Sequence, residues 1–260
     1  MDSTLRGERP LSEASPIPLW SPGDGVTRVL VVTAHPDDVD FGSAGTVAAF
    51  TQAGVAVSYC ISTNGDAGGS DRSMSRDEMA ALRQDEQRAA AATVGVDDVR
   101  FLGHPDGRLQ ATIELRRDIS RVIRQVRPER VITQSPERNW VFIFASHPDH
   151  LAAGEAAVSA VYPDARNPFA HPELLEEEGL EPWTVPELWI MGPAGDRAGV
   201  AVDTTTTLAR KVSALMCHKS QISDPDAVAD RVETAGRSLA ELAGLPEGSS
   251  AELFRVTRIP

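Results

Sequence analysis

Two short stretches of this chain repeat an unusual grouping of side chains. In the first, His35, Pro36, Asp37 and Asp38 follow directly on an apolar run. In the second, His147, Pro148, Asp149 and His150 lead into a segment rich in alanine. Imidazole and carboxylate are common ligands of a divalent cation. Two histidines and one carboxylate bind zinc with a fourth position open to water, and the ion lowers the pKa of that water to about 7. A second carboxylate next to a ligand can then accept the water's proton. Neighbouring residues at a helix start point in different directions, so Asp37 and Asp38 are suited to divide those two tasks. The plainer alternative is that either aspartate caps the helix that follows. One copy of the motif would be read that way; two copies, each at a loop-to-helix junction, favour halves of one site.

For the halves to meet, the elements that carry them must lie side by side. Residues 27–35 form a valine-rich run of strand length that suits a strand buried on both faces. The pattern then predicts a helix over 42–54, a strand over 55–63, a glycine-rich loop over 64–71 and a long alanine-rich helix over 75–95. A short strand at 97–103, an amphipathic helix at 113–128 and a strand at 129–135 follow, with a helix over 151–162 after the second motif. Late strands are expected at 185–192 and 198–205, and helices at 207–221 and 230–244. Strands alternating with helices of this length imply an α/β fold with a mostly parallel sheet. Ligands of such sheets sit beyond the carboxyl ends of the strands. If the strands at 27–35 and 129–135 are neighbours, both motifs face one crevice. The proline-rich stretch 166–183 is long for a connection and is read as a surface loop or a border of the site.

The bulk composition narrows the partners. A formal charge of −13 argues against a nucleic-acid partner and against docking on an anionic membrane. No apolar run approaches the roughly 20 residues that span a bilayer. Residues 1–26 are polar and rich in proline, lack the order of a signal peptide and are read as an extended arm. Residues 27–260 are read as one domain. The two cysteines, Cys60 and Cys217, have no paired spacing, so a reducing, cytoplasmic setting is the default. Homo-oligomerisation is left open.

The chain resembles the LmbE-like, or PIG-L, zinc-dependent N-deacetylases. The stretches that carry the likeness are AHPDD at 34–38 and HPDHLAAG at 147–154, joined by TNGDAGG, LRQDEQRAAAATVGV, FLGHPDGRL and HKSQ, in order from about Arg28 to Gln221. The resemblance implies a Rossmann-like layer sandwich and hydrolysis of an acetamide on an amino sugar, the substrate being a small-molecule N-acetylated glycoside. It implies Zn2+, or another divalent metal, held by His35, Asp38 and His150, with Asp37 as general base. His147 would steady the oxyanion or protonate the leaving amine. Asp149 would orient a ligand histidine, and Asp106 would contact the sugar. Some relatives carry a tyrosine where this chain has Ala145; Phe142 and Phe144 offer no hydroxyl, and Trp140 is the nearby aromatic with a donor. Core packing is the expectation for Phe142 and Phe144. His104 is read as a loop residue, His171 as a surface residue, and His218 as lying near the rim without binding metal.

Within the same chemistry, the alternative is an amidase acting on a larger mycothiol-type S-conjugate. A nucleotide-binding oxidoreductase is disfavoured, because the turn after the first strand lacks G-x-G-x-x-G and puts carboxylates where pyrophosphate would sit. A non-catalytic sugar-binding protein is disfavoured because every polar group the chemistry needs is present.

Overall fold

The protein is described by a computed structural model, covering residues 17–69, 71–140, 143–192 and 199–260. Seven strands form one sheet: β1 (Arg28–Thr33), β2 (Ala56–Thr63), β3 (Asp98–His104), β4 (Arg130–Thr133), β5 (Glu187–Met191), β6 (Gly199–Asp203) and β7 (Ala251–Arg258). Their spatial order is β3-β2-β1-β4-β5-β7-β6. The first five run parallel, and β7 is antiparallel to both β5 and β6.

Each buried strand feeds two cores, because successive side chains leave opposite faces. Val29 and Val31 of β1 join Tyr59 and Ile61 of β2 on one face, under Val47 and Phe50. Leu30 and Val32 join Cys60 on the other, under Leu115, Ile119 and Ile123. Hence the run at 27–35 is apolar throughout rather than alternating. The helices covering the first face are α1 (Asp38–Gly42), α2 (Ala44–Gln52), α3 (Arg76–Thr93) and α7 (Leu208–Leu215); α4 (Ile113–Val126) and α5 (Pro148–Ser159) cover the second. A short helix, α6 (Pro172–Glu176), interrupts the proline-rich connection, and α8 (Pro225–Leu242) precedes β7.

Three expectations need correction. The helix predicted to run to Gln221 ends at Leu215, and residues 216–221 form turns that send His218 inward. β7 was not anticipated; lying between β5 and β6, it is buried along its first half and lacks a clean polar alternation. His171 is not at the surface: its side chain is 8% exposed and its Nε2 lies 3.3 Å from Asp164 Oδ2. Residues 17–20 of the expected arm lie along the sheet edge, where Trp20 N donates to Ala201 O and Ala201 N to Pro18 O. Residues 1–16, Phe142 and the side chain of Phe144 lie outside the described part, so the packing expected of those phenylalanines does too.

The order β2-β1-β4 fixes where a ligand goes. From β1 the chain winds outward through β2 and β3, then returns to place β4 on the other side of β1. A crevice opens at that reversal, outside the carboxyl ends of the two strands. Val32 is in register with Thr133, so the loops beginning at Ala34 and Gln134 leave the sheet side by side. The backbone N–H of Ala34 donates to Gln134 Oε1 at 2.9 Å, tying them together.

Candidate metal centre

Both motifs sit at the start of a helix facing this crevice. Asp37 precedes α1 in the left-handed region, with φ 93° and ψ −27°, and its side chain makes no capping bond. An L-residue held there costs of order 1–3 kcal/mol, and aspartate tolerates the region better than most. Asp38 is turned back on the strand end, where its Oδ2 accepts from His35 N at 2.7 Å. On the other side, Pro148 occupies the first turn of α5 and His147 is the capping residue, its Nδ1 accepting from Asp149 N at 3.2 Å.

The side chains converge. Asp38 Oδ2 lies 3.4 Å from His35 Nδ1, and Asp38 Oδ1 lies 3.0 Å from His150 Nε2. The ring centroids of His35, His147 and His150 stand 5.1 to 5.3 Å apart. Behind them, His35 Nε2 lies 3.1 Å from both Asp149 Oδ2 and Asp106 Oδ1. Asp149 is also fixed by donation from Gly107 N at 2.7 Å and Leu109 N at 3.2 Å, and Asp106 by donation from Ala67 N at 3.1 Å. The three expected ligands, His35, Asp38 and His150, and the two expected catalytic groups, Asp37 and His147, therefore border one crevice, with Asp149 and Asp106 behind His35.

Among the described residues, two groups have ligand atoms close enough to share an ion: His35, His147 and His150, and His35, Asp106 and Asp149. The second is fully buried, and its carboxylates already accept backbone N–H groups. Asp38 belongs to neither set, yet it bridges His35 and His150 directly. The donor chemistry fits a divalent cation on the open side. With Nε2 committed to two carboxylates, the lone pair of a neutral His35 lies on Nδ1, toward Asp38. A carboxylate behind a ligating imidazole is the usual arrangement that fixes its tautomer and raises its basicity.

Electrostatics point the same way. Four carboxylates, those of Asp37, Asp38, Asp106 and Asp149, surround the site against Arg83 as the inward guanidinium. Burial opposes charging His35, but its bonds to Asp106, Asp149 and Asp38 outweigh burial and push it up to about 12. Burial and then the Asp38 charge push Asp37 up to about 7, against the pull of Arg83. Asp38 itself, despite burial, is held well below the usual carboxylate range by His150 and His35. Burial, with His35 and His150 nearby, lowers His147. Its Nδ1 accepts from the backbone, so a neutral ring carries its proton on Nε2.

The long helix α3 contributes residues that the sequence reading passed over. Its N-terminus is set by a Ser75–Glu78 capping box, and its buried face is Met79, Arg83, Glu86, Gln87, Ala90 and Ala91. Arg83 Nη2 donates to Pro36 O at 2.7 Å and to Asp37 Oδ2 at 3.2 Å, while Nη1 donates to Gly65 O at 3.0 Å. The glycine-rich loop exists for this contact: a Cβ on Gly65 would stand 2.7 Å from Arg83 Nη1, and one on Gly68 would overlap it. The clue was polar residues at positions 83, 86 and 87, in phase with the apolar stripe of the helix.

Trp140 and His104 have their contacts elsewhere. Trp140 is 82% exposed, with Arg138 against its ring. His104 ends β3 and pairs with Asp118 at 3.1 Å. His218 is fully buried, 2.8 Å from Asp40 Oδ2, rather than at the rim.

A crevice of imidazoles and carboxylates at the switch point of a mostly parallel sheet places the molecule with hydrolytic α/β enzymes that can hold a metal. Residues 30–161 match the family model described as PIG-L, the GlcNAc-PI de-N-acetylases. Diacetylchitobiose deacetylase of Thermococcus kodakarensis is 30% identical over 203 residues, covering 78% of this chain and 73% of that protein. The 1D-myo-inositol 2-acetamido-2-deoxy-alpha-D-glucopyranoside deacetylase of Rhodococcus erythropolis is 29% identical over 244 residues, covering 75% and 81%. The solved N,N'-diacetylchitobiose deacetylase of Pyrococcus horikoshii superposes with a TM-score of 0.82 at 28% identity, over 91% of this chain and 86% of that one. The chain belongs to the PIG-L family, and its activity class is that of an N-deacetylase.

Proposed function

We propose that the protein removes the N-acetyl group from an N-acetylglucosamine-type sugar in a small glycoside, releasing acetate and a free amine. The observation that carries this reading is Asp38, which touches both His35 and His150 while Asp37, beside it, is turned to Arg83. His35 Nδ1, Asp38 and His150 Nε2 would hold zinc. The ion would supply Lewis acidity, making bound water acidic near neutral pH and polarising the acetyl carbonyl.

The remaining steps belong to the chain's own groups. Asp37, pushed up to about 7, is poised to accept a proton from water near neutrality. Arg83 fixes where its carboxylate stands. His147, lowered and neutral, presents Nε2–H to the developing oxyanion, and the proton that Asp37 takes from water is the one returned to the leaving amine. Asp149 and Asp106 keep the proton of His35 on Nε2. Asp106, expected to contact the sugar, would do so with the lone pairs its protein partners leave uncommitted.

The wider setting follows from the same reading. The partner is a small N-acetylated glycoside; the net charge of −13 supports neither nucleic acid nor membrane surface. No helix among the described residues is long and apolar enough to cross a membrane. Cys60 and Cys217 are both free, which supports a reducing, cytoplasmic setting. The test is a screen for freed amine, with acetate measured alongside, over N-acetylglucosaminides, N-acetylglucosamine–inositol conjugates and a mycothiol-type S-conjugate, with and without chelator. Chelator-sensitive acetate release from a glycoside is expected. Cleavage of the S-conjugate alone would replace the deacetylase reading with the amidase one.

A further inference from the structure

Asp37 is held in its left-handed turn from behind, by a chain of side chains that the chemistry above does not use. The N–H of Asp37 donates to Gln87 Oε1 at 2.7 Å. Gln87 Nε2 donates to Asp40 Oδ2 at 2.8 Å, and His218 Nε2 lies 2.8 Å from the same oxygen. Gln87, Asp40 and His218 are each 0% exposed. The orientation of the amide is settled by its neighbour, because a backbone N–H can only donate. The carbonyl of Gln87 must therefore face Asp37, and its NH2 must face Asp40. Further along, Ser220 N and Ser220 Oγ donate to Glu86 at 2.8 and 2.6 Å, pinning the turn that carries His218 to α3.

We propose that Gln87 is a positioning residue, whose side-chain carbonyl holds the Asp37 N–H and with it the turn that aims the Asp37 carboxylate into the crevice, with Asp40 and His218 fixing the amide. The inference rests on Asp37 being the base. Left-handed backbone at a residue other than glycine is unfavourable on its own. An acceptor placed on the N–H of that residue keeps the turn from relaxing. Arg83 holds the carbonyl of Pro36 and the carboxylate of Asp37, so the peptide between Pro36 and Asp37 is gripped at both polar ends by one face of α3. On the buried face of α3, which also carries Arg83 and Glu86, both ends of the Gln87 amide are spent on the turn at Asp37 and on Asp40.

Gln87→Met keeps the volume and removes both bonds. In the metal-free chain, exchange of the Asp37 amide proton, followed by NMR, should quicken at least about tenfold. In the zinc-loaded enzyme kcat should fall about tenfold, the range a displaced catalytic group produces, with KM and zinc content within about twofold. Gln87→Glu is the conservative control. A buried carboxyl beside Asp40 takes up a proton, and so offers the same carbonyl to Asp37 and an O–H to Asp40. It should keep kcat within about threefold and protect the amide. Unchanged amide exchange and kcat in Gln87→Met would overturn the proposal, as would a loss that tracks zinc content or KM. Asp37→Asn separates the two readings. If it keeps turnover, the base assignment fails while the amide exchange still reports on Gln87. If it abolishes turnover and Gln87→Met does nothing, only the positioning role fails.

Discussion

Asp149→Asn isolates the support behind the proposed metal centre. Asp149 is 1% exposed and accepts three bonds, from Gly107 N, Leu109 N and His35 Nε2. One asparagine oxygen can take over the Oδ2 position, which serves Gly107 and His35. The NH2 then faces Leu109 N, and two donors meet. Losing one hydrogen bond to a charged acceptor costs about 1.5–3 kcal/mol, and the two that survive fall to about half their strength without the charge. For a protein of this size about 2 kcal/mol corresponds to roughly 4–8 °C in melting temperature. The larger consequence falls on His35, whose ring loses a carboxylate that makes Nδ1 basic and fixes its direction. Removing such a partner weakens metal binding about 10–100-fold, or about 1.4–2.8 kcal/mol. The assay is competition for zinc against a chromophoric chelator on the full chain, run beside a thermal melt. A Kd raised by that factor, with turnover largely recovered at saturating zinc, is the expected result. A Kd within twofold of the parent alongside the expected loss of melting temperature would show that Asp149 merely ties down the 107–109 loop.

Other outcomes follow from the same contacts. Asp37→Ala should bind zinc as the parent does yet lose at least about 99% of turnover, since general base catalysis contributes about 10²–10⁴-fold; zinc content and acetate release on one preparation check it. Gly68→Ala should drive its new methyl into the Arg83 guanidinium and push it off Asp37, and kcat should drop about tenfold with zinc retained. Asp118 gives a stability test away from the site. Burial raises it, but bonds from Arg121 and Arg117 outweigh burial and hold it below the usual carboxylate range. A depressed carboxylate stabilises the fold above its unfolded pKa of about 3.9 and loses that contribution as pH falls through the folded value. Asp118→Asn should therefore unfold at lower denaturant than the parent at pH 7, and the gap should narrow as pH falls below the unfolded value of about 3.9.

The parallel part of the sheet could be read from the chain because most of its strands are short apolar runs between helical patterns, as residues 28–33, 56–63 and 130–133 are. The two motifs could be read because their residue types are rare together. What placed them in one crevice, the adjacency of β1 and β4, is a property of winding order that no local pattern states. The antiparallel β7 was missed for a related reason: Glu252 interrupts its apolar positions, and only the fold shows that Lys211 meets that carboxylate. His218 was legible as a family motif but not as a buried partner of Asp40, because that contact joins segments far apart in sequence. Arg83 and Gln87 were hidden by the alanine-rich character of α3, although their phase along the helix marked them as inward.

The deciding question is whether one divalent ion sits between the two motifs. Anomalous diffraction at the zinc edge, on crystals of the full chain grown with zinc, measures this directly. A single peak about 2.0–2.2 Å from His35 Nδ1, an Asp38 oxygen and His150 Nε2 is the predicted result. A peak among His35, Asp106 and Asp149, or none in the crevice at full zinc saturation, would contradict it.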